Sequence, residues 1–364
     1  MVGERKDMEK CICTGTGYCE LHRTHIDRKF DFLVCQGAHP QERERIHKKY
    51  QIKRKREEAR KAHKQIMRKG KFITSSQLIL DCINIIIPKL YPHKISGVIG
   101  IPRSGMIPAS IIATHLSVPL YTIANEKVVL CSGSSSYGGI RMRGFSRMDG
   151  PLLVVDDTIF HGSALREAKR ILPDEAEYIY AAVYSTLQKS SELDIYGELI
   201  DSGYFYEWCL FNCPVMNHSL LDIDGILCKD IPPEICRNPD PLVYSNYLSS
   251  IKPIPSRLPV LYHCEGLVTG RLENKREITE AWLAKHNVLY KRLHMYPSET
   301  EKERDGNGGN SHNNNVSRFK SDIFSKSAAT IFIESNKMQA VGIAQQTQKM
   351  VICPEAGEVY GRKH

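Results

Sequence analysis

The chain has 364 residues, of which 41% are hydrophobic and 25% charged, the profile of a soluble globular protein of about two to three domains. This length excludes a small disulfide-stapled fold, and no run approaches the roughly eighteen apolar residues of a membrane span. The net charge of +9 points to nucleic acid until it is located: residues 41–71 hold fourteen Lys/Arg against four Asp/Glu, which leaves the remainder near −1.

Met1 to Lys10 shows no apolar run behind its charges, so it does not read as a secretory signal. A cytoplasmic protein is expected, with its twelve cysteines as thiols or metal ligands. Cys11-x-Cys13 and Cys19-x-x-His22 come first, with His25, Cys35 and His39 close behind. Soft ligands at this density can close a tetrahedral zinc shell, and Gly15 and Gly17 allow tight turns around an ion. Any four of Cys11, Cys13, Cys19, His22 and Cys35 are the expected ligands of a structural Zn2+ in a module over 1–40. Residues 41–71 follow, with Ile46, Tyr50, Ala59, Ala62 and Ile66 as sparse apolar positions. They suggest a mostly exposed basic helical linker, through which nucleic acid could bind by its phosphates.

From Phe72 to Leu90 the apolar residues recur at helical spacing, and short β-rich runs alternating with helices come after. The strands expected are Gly97 to Ile101, Pro119 to Ile123, Leu152 to Val155 and Tyr178 to Tyr184, with helices from Met106 to about His115 and from Ser163 to Leu172. Short, nearly all-apolar strands predict a mainly parallel sheet covered on both faces. Pro151-Leu152-Leu153-Val154-Val155-Asp156-Asp157-Thr158-Ile159-Phe160-His161-Gly162-Ser163 reads as a buried strand ending at two carboxylates, with a glycine loop feeding a helix N-terminus. Such an N-terminus favours a phosphate, and adjacent carboxylates suit the hydroxyls of a ribose.

This stretch resembles the phosphoribosyl pyrophosphate (PRPP) motif of type I phosphoribosyltransferases. Upstream, Gly97-Val98-Ile99-Gly100-Ile101-Pro102-Arg103-Ser104-Gly105 is similar to that family's pyrophosphate loop. Cys131 to Arg143, rich in Gly and Ser, resembles its flexible hood. The resemblance covers roughly residues 72–205. It implies PRPP binding by Arg103, Ser104, Gly105, Arg141, Arg143, Asp156, Asp157, Thr158, His161, Gly162 and Ser163. It also implies Mg2+ and displacement of pyrophosphate from C1 of PRPP by a nitrogen of a base. Phe160 and His161 stand where members usually carry a small residue and Thr.

A second apolar strand ends in carboxylates at Ser219-Leu220-Leu221-Asp222-Ile223-Asp224-Gly225. There the first carboxylate can attack phosphorus while the second protonates the leaving oxygen. The run resembles motif I of the haloacid-dehalogenase-like (HAD) phosphatases. That likeness implies Asp222 as nucleophile, Asp224 as general acid and then base, Thr269 in Leu267-Val268-Thr269-Gly270-Arg271 as a phosphate contact, and Lys320, chosen over Lys326, as the neutralising lysine. Mg2+ is expected at Asp222, Asp224 and Glu334, the last ending the strand from Ala329; Glu334 and Asn336 stand where aspartates are commoner. Between the motifs, the proline-rich span of about 228–256 is expected to form a small irregular cap. Asn274 to His286 is expected as a helix packed through Ile278, Ala281, Trp282 and Ala284, and 305–315 as a flexible loop.

The fold class expected is thus α/β: two Rossmann-like domains, a phosphoribosyltransferase-type parallel sheet over 72–212 and a HAD-like parallel sheet over 213–364, behind a small zinc-binding and helical segment. The function expected is a bifunctional enzyme that transfers phosphoribose from PRPP to a small nitrogenous base and then removes the 5-phosphate. The alternative is a nucleotide- or PRPP-sensing domain that governs the phosphatase or a nucleic-acid-bound partner. No membrane partner is expected, and a homo-oligomer is compatible with the sequence.

Overall fold

The computed structural model describes residues 18–19, 24–25, 66–132, 135–137, 140–142, 150–200, 203–236, 238, 240–297, 300–305 and 311–362. The chain divides into two compact units, Met1–Ile66 and Met67–His364. In the first, Tyr18–Cys19 pairs antiparallel with Thr24–His25. Cys11, Cys13, His22 and Cys35, and the basic run 41–65, lie outside the described residues. Among the described residues no helix is long and apolar enough to cross a membrane.

The second unit is mixed α/β and is built on two parallel-rich sheets. Six strands form one sheet in the order Ile195–Ile200, Tyr178–Thr186, Leu152–Ile159, Gly97–Gly100, Leu120–Ala124 and Lys127–Ser132. All neighbours pair parallel except the last two. Side chains alternate between two cores: Val98, Leu153, Val155 and Val183 enter one, and Ile99, Val154 and Ala182 the other. Helices Ser75–Asp81 and Met106–Leu116 add Leu78 and Ile112 to the first core, and helix Ser163–Ile171 adds Leu165 to the second. This two-sided burial is why the central strand Gly97–Gly100 and the first half of Leu152–Ile159 are apolar throughout.

The other sheet has eight strands, in the order Phe205–Tyr206, Ile66–Ile73, Glu358–Arg362, Met350–Cys353, Ile331–Ile333, Ser219–Leu221, Gly266–Leu272 and Leu293–Tyr296. From Met350–Cys353 to Leu293–Tyr296 the neighbours are parallel. In both sheets the strand order reverses partway across. In the first the reversal falls between Gly97–Gly100 and Leu152–Ile159, and in the second between Ser219–Leu221 and Ile331–Ile333. Such switch points open a crevice beyond the carboxyl ends of the strands.

Several elements depart from the sequence expectation. Ile66–Ile73 is a strand where the end of one helix and the start of another were expected. Phe72 enters the core of the second sheet and Ile73 that of the first, an alternation only an extended chain provides; the helix starts after Thr74, whose side chain accepts from Gln77 N. The strand Leu152–Ile159 continues past Val155, so Asp156 and Asp157 lie within it. The packed face of helix Arg276–Lys285 is Thr279, Trp282 and Leu283, whereas Ala281 and Ala284 are exposed. Ser311–Lys326 is a helix, so 311–315 is its first turn and not a loop. The proline-rich span carries helices Pro233–Cys236 and Pro241–Ser250, because proline is well suited to a first helical turn.

Candidate active sites

At the first switch point, the loop after Gly97–Gly100 runs beneath the carboxylates of the neighbouring strand. Gly105 sits so close that a Cβ there would lie 2.5 Å from Ile101 O and 2.7 Å from Asp156 Oδ1. The Pro102–Arg103 peptide is cis. Ser104 Oγ donates to Asp157 Oδ1 at 2.9 Å, and Trp208 Nε1 donates to Asp157 Oδ2 at 2.9 Å. Asp156 and Asp157 are 7% and 5% exposed. Burial, reinforced by the Asp157 charge, pushes the Asp156 carboxyl up to about 8.

Beyond the same strand, Phe160 and His161 are exposed, with their rings edge to face at 4.7 Å. Arg166 Nη1 donates to His161 O at 3.1 Å, and Gly162 turns the chain at φ +70° into helix Ser163–Ile171. Free N–H groups therefore sit at the helix start with an exposed Ser163 beside them. Thr158 is half-buried in the strand. Next to the Arg103 loop a cavity of about 420 Å³ is walled by Arg103, Ser104, Ile107, Trp208, Cys209 and Tyr262. Arg141 lies in strand Ile140–Met142 opposite Ser136, and Arg143 lies outside the described residues.

The second switch point gathers Asp222, Lys320 and Glu334. Lys320 Nζ donates to Asp222 Oδ2 at 2.7 Å, to Glu334 Oε2 at 2.6 Å and to Gln339 Oε1 at 2.9 Å. Asp222 and Glu334 come together because their strands are parallel neighbours in register, Leu221 opposite Ile333. Helix Ser311–Lys326 supplies the lysine from above. Burial pushes the Asp222 carboxyl well above the usual range; the Lys320 ammonium pulls the other way, and Glu334 and Asp224 reinforce the rise. Burial also opposes the charge on Lys320, but Asp222 and Glu334 outweigh it and hold the ammonium above its usual range.

Asp224 is held differently. Arg271, 1% exposed, donates to it from Nη2 at 2.6 Å and from Nε at 3.0 Å. The sequence reading missed this partner, although Thr269 and Arg271 share one face of their strand by its two-residue period. Thr269 is fully buried, accepts from Arg271 N at 3.2 Å, and is not among the residues lining the cavity. That cavity, about 300 Å³, is lined by Asp222, Asp224, Arg271, Arg304, Lys320 and Glu334 among others, with Asp230 and Tyr244 from the proline-rich span.

Among the described residues no group of three or more His, Cys, Asp or Glu is arranged to hold a metal ion. Cys19, the one proposed zinc ligand among them, lies in the two-residue strand Tyr18–Cys19. Mg2+ asks less of a protein, being held by one or two carboxylates with waters and substrate phosphate. The oxygen donors of Asp222 and Glu334 and the Asp224 carbonyl are chemically suited to it.

No protein-family model matches the chain, and no curated protein matches it. Similar solved structures include a purine phosphoribosyltransferase from Pyrococcus horikoshii Ot3, with 22% identity, covering 39% of this chain and 95% of that one at a TM-score of 0.29. A xanthine-guanine-hypoxanthine phosphoribosyltransferase from Helicobacter pylori has 11% identity, covering 38% and 93% at 0.28. An adenine phosphoribosyl transferase from Trypanosoma brucei has 13% identity, covering 39% and 78% at 0.25. At these scores the likenesses carry no weight of their own.

Proposed function

We propose that the chain carries two enzymatic sites: PRPP-dependent phosphoribosyl transfer to a nitrogenous base at the first, and Mg2+-dependent phosphate removal from the nucleotide-like product at the second. One observation carries this reading. Each parallel sheet presents buried carboxylates at its switch point, the first beside a glycine loop and a helix N-terminus, the second around a buried lysine.

At the first site, Asp156 and Asp157 accept from the ribose hydroxyls, and the N–H groups after Gly162 receive the 5-phosphate. Arg103, exposed at the mouth of the cavity, is suited to the leaving diphosphate. The C1–O bond to pyrophosphate breaks as the C1–N bond to the base forms.

At the second site, an Asp222 oxygen attacks phosphorus and the leaving alkoxide takes a proton from Asp224. Water, deprotonated by Asp224, then cleaves the aspartyl phosphate. Lys320 holds Asp222 in place and offsets charge on the phosphoryl oxygens. Mg2+, when bound by Asp222, Glu334 and the Asp224 carbonyl, would add positive charge against the transferring phosphoryl group. For Asp224 to serve as acid, the substrate must loosen its pair with Arg271.

A second reading, a PRPP or nucleotide sensor in place of a transferase, draws on Asp157, both of whose oxygens already accept hydrogen bonds from the protein. The two readings separate in an assay of pyrophosphate release from PRPP with a mixture of bases. A transferase releases it in a base-dependent way and loses this in Asp157→Ala, while Asp222→Asn retains it and loses phosphate release from nucleotides. Binding of PRPP without pyrophosphate release favours the sensor.

A further inference from the structure

The segment Tyr204-Phe205-Tyr206-Glu207-Trp208 joins the two sheets and belongs to both cores. Tyr204, Tyr206 and Trp208 pack against the core of the first sheet; Phe205 packs against that of the second, where Leu210 and Phe211 are buried. The period is two, as for a strand, so alternate side chains face opposite domains. Trp208 stacks on Tyr206 at 4.8 Å between ring centroids, and Tyr206 on Tyr184 of the first sheet at 5.9 Å. So held, Trp208 Nε1 reaches Asp157 Oδ2.

Glu207, between these aromatic residues, accepts on both oxygens. Ser75 N donates to Oε2 at 3.0 Å, at the start of a helix of the first domain. Arg257 Nε donates to Oε1 at 2.9 Å, from the second domain. Arg257 continues the chain of contacts: its Nη1 donates to Gly225 O at 3.2 Å and to Glu355 Oε1 at 3.0 Å. Gly225 follows Asp224 directly, at φ +76°, and a Cβ there would lie 2.3 Å from Ser335 Oγ. Ser335 Oγ in turn donates to the Asp224 carbonyl at 3.1 Å. Two sets of hydrogen bonds, joined through the backbone of Glu207 and Trp208, thus lead from the carboxylate of the first site to the turn that carries Asp224 in the second. Arg257 and Glu207 have side chains only 9% exposed, so water screens their pair little.

We propose that the helix Glu207–Leu210 is a strut shared by the two sites. Trp208 positions Asp157, Glu207 and Arg257 position the Gly225 turn, and occupancy of either site changes the affinity of the other. This rests on the two-site reading above and adds its regulation. The physical basis is differential binding: a ribose hydroxyl that donates to Asp157 shares that acceptor with Trp208, and a phosphate substrate that draws Asp224 from Arg271 bears on the Gly225 turn held by Arg257, so each ligand acts on one end of the strut.

The test is calorimetric titration of Mg-PRPP into the full chain, with and without beryllium fluoride, which mimics a phosphoryl group on an aspartate. The strut predicts that beryllium fluoride changes the PRPP Kd of wild type by about fivefold, within the usual span of coupling between sites. The effect should vanish in Asp222→Asn, which cannot carry the mimic. It should fall below about twofold in Glu207→Gln and in Arg257→Lys, which keeps the charge but cannot span Glu207 and Gly225 O together. Trp208→Phe keeps an aromatic ring and loses the donor; it should change the PRPP Kd while leaving the KM of the phosphatase for a small aryl phosphate unaltered. An unchanged Kd for PRPP with beryllium fluoride bound, where PRPP itself binds, overturns the strut alone. Absence of PRPP binding to wild type overturns the reading of the first site and the strut with it.

Discussion

Replacing Lys320 by methionine should be the most damaging single change at the second site. The ammonium is 1% exposed and makes three hydrogen bonds, two of them to the carboxylates of Asp222 and Glu334. Methionine fills a similar volume, so the cost is mainly electrostatic: two buried carboxylates lose their common partner. Breaking a buried ion pair from one side costs about 3–5 kcal/mol. At about 2–3 °C per kcal/mol for a unit of this size, the midpoint should fall by roughly 6–15 °C. The assay is thermal and urea unfolding of wild type and Lys320→Met, each with and without Mg2+. Mg2+ should restore more stability to the variant than it adds to wild type, because the freed carboxylates accept it without competition. A loss below about 1 kcal/mol, or equal gains from Mg2+ in both proteins, would refute the view that Lys320 neutralises this pair.

Three further outcomes follow from particular contacts. Asp156 has its pKa raised to about 8 by burial and by Asp157, so between about pH 4, the unfolded value, and pH 8 the folded chain binds more protons than the unfolded one. Across that window wild type should lose a few kcal/mol more stability than Asp156→Asn, in which Asp222 still contributes a fall of its own; equal losses in the two would contradict it. Gly105→Ala places a methyl within 3 Å of three oxygens, and overpacking of this kind costs about 1–3 kcal/mol. Its PRPP affinity should be lost by calorimetry, whereas wild-type affinity in the variant would show that the loop does not carry the diphosphate. Trp282→Phe removes the donor to Ile251 O at 2.7 Å and should cost about 1–3 kcal/mol in urea unfolding, through the buried carbonyl it strands; a neutral result would mean that water replaces it.

The parts of these sites that were legible in the sequence are those that local order determines. An apolar strand running into Asp156-Asp157 or Asp222-x-Asp224, a Gly before a helix at Gly162, and an acid just after Ile331–Ile333 all lie within a few residues of one another. Lys320 was reachable from motif order alone, as a lysine just past 305–315, a run that looked like a loop for want of apolar residues although Ser311–Lys326 is helical. What was hidden depends on long-range pairing. Arg271 meets Asp224 across 47 residues, Trp208 meets Asp157 across 51, and Arg257 meets Glu207 across 50. Nothing in the spacing marks these partners. Ile66–Ile73 was hidden for a related reason: a basic, glycine-containing run has little strand propensity, and its neighbours in the sheet, Phe205–Tyr206 and Glu358–Arg362, come far later in the chain.

The most direct test of the two-site account is mass spectrometry of small molecules after incubating wild type and Asp222→Asn with PRPP, Mg2+ and a metabolite extract, while pyrophosphate is followed. The account predicts a ribosyl 5-phosphate adduct that accumulates in Asp222→Asn and appears as the free nucleoside with wild type. Identical products from the two proteins, or no base-dependent consumption of PRPP in either, would contradict it.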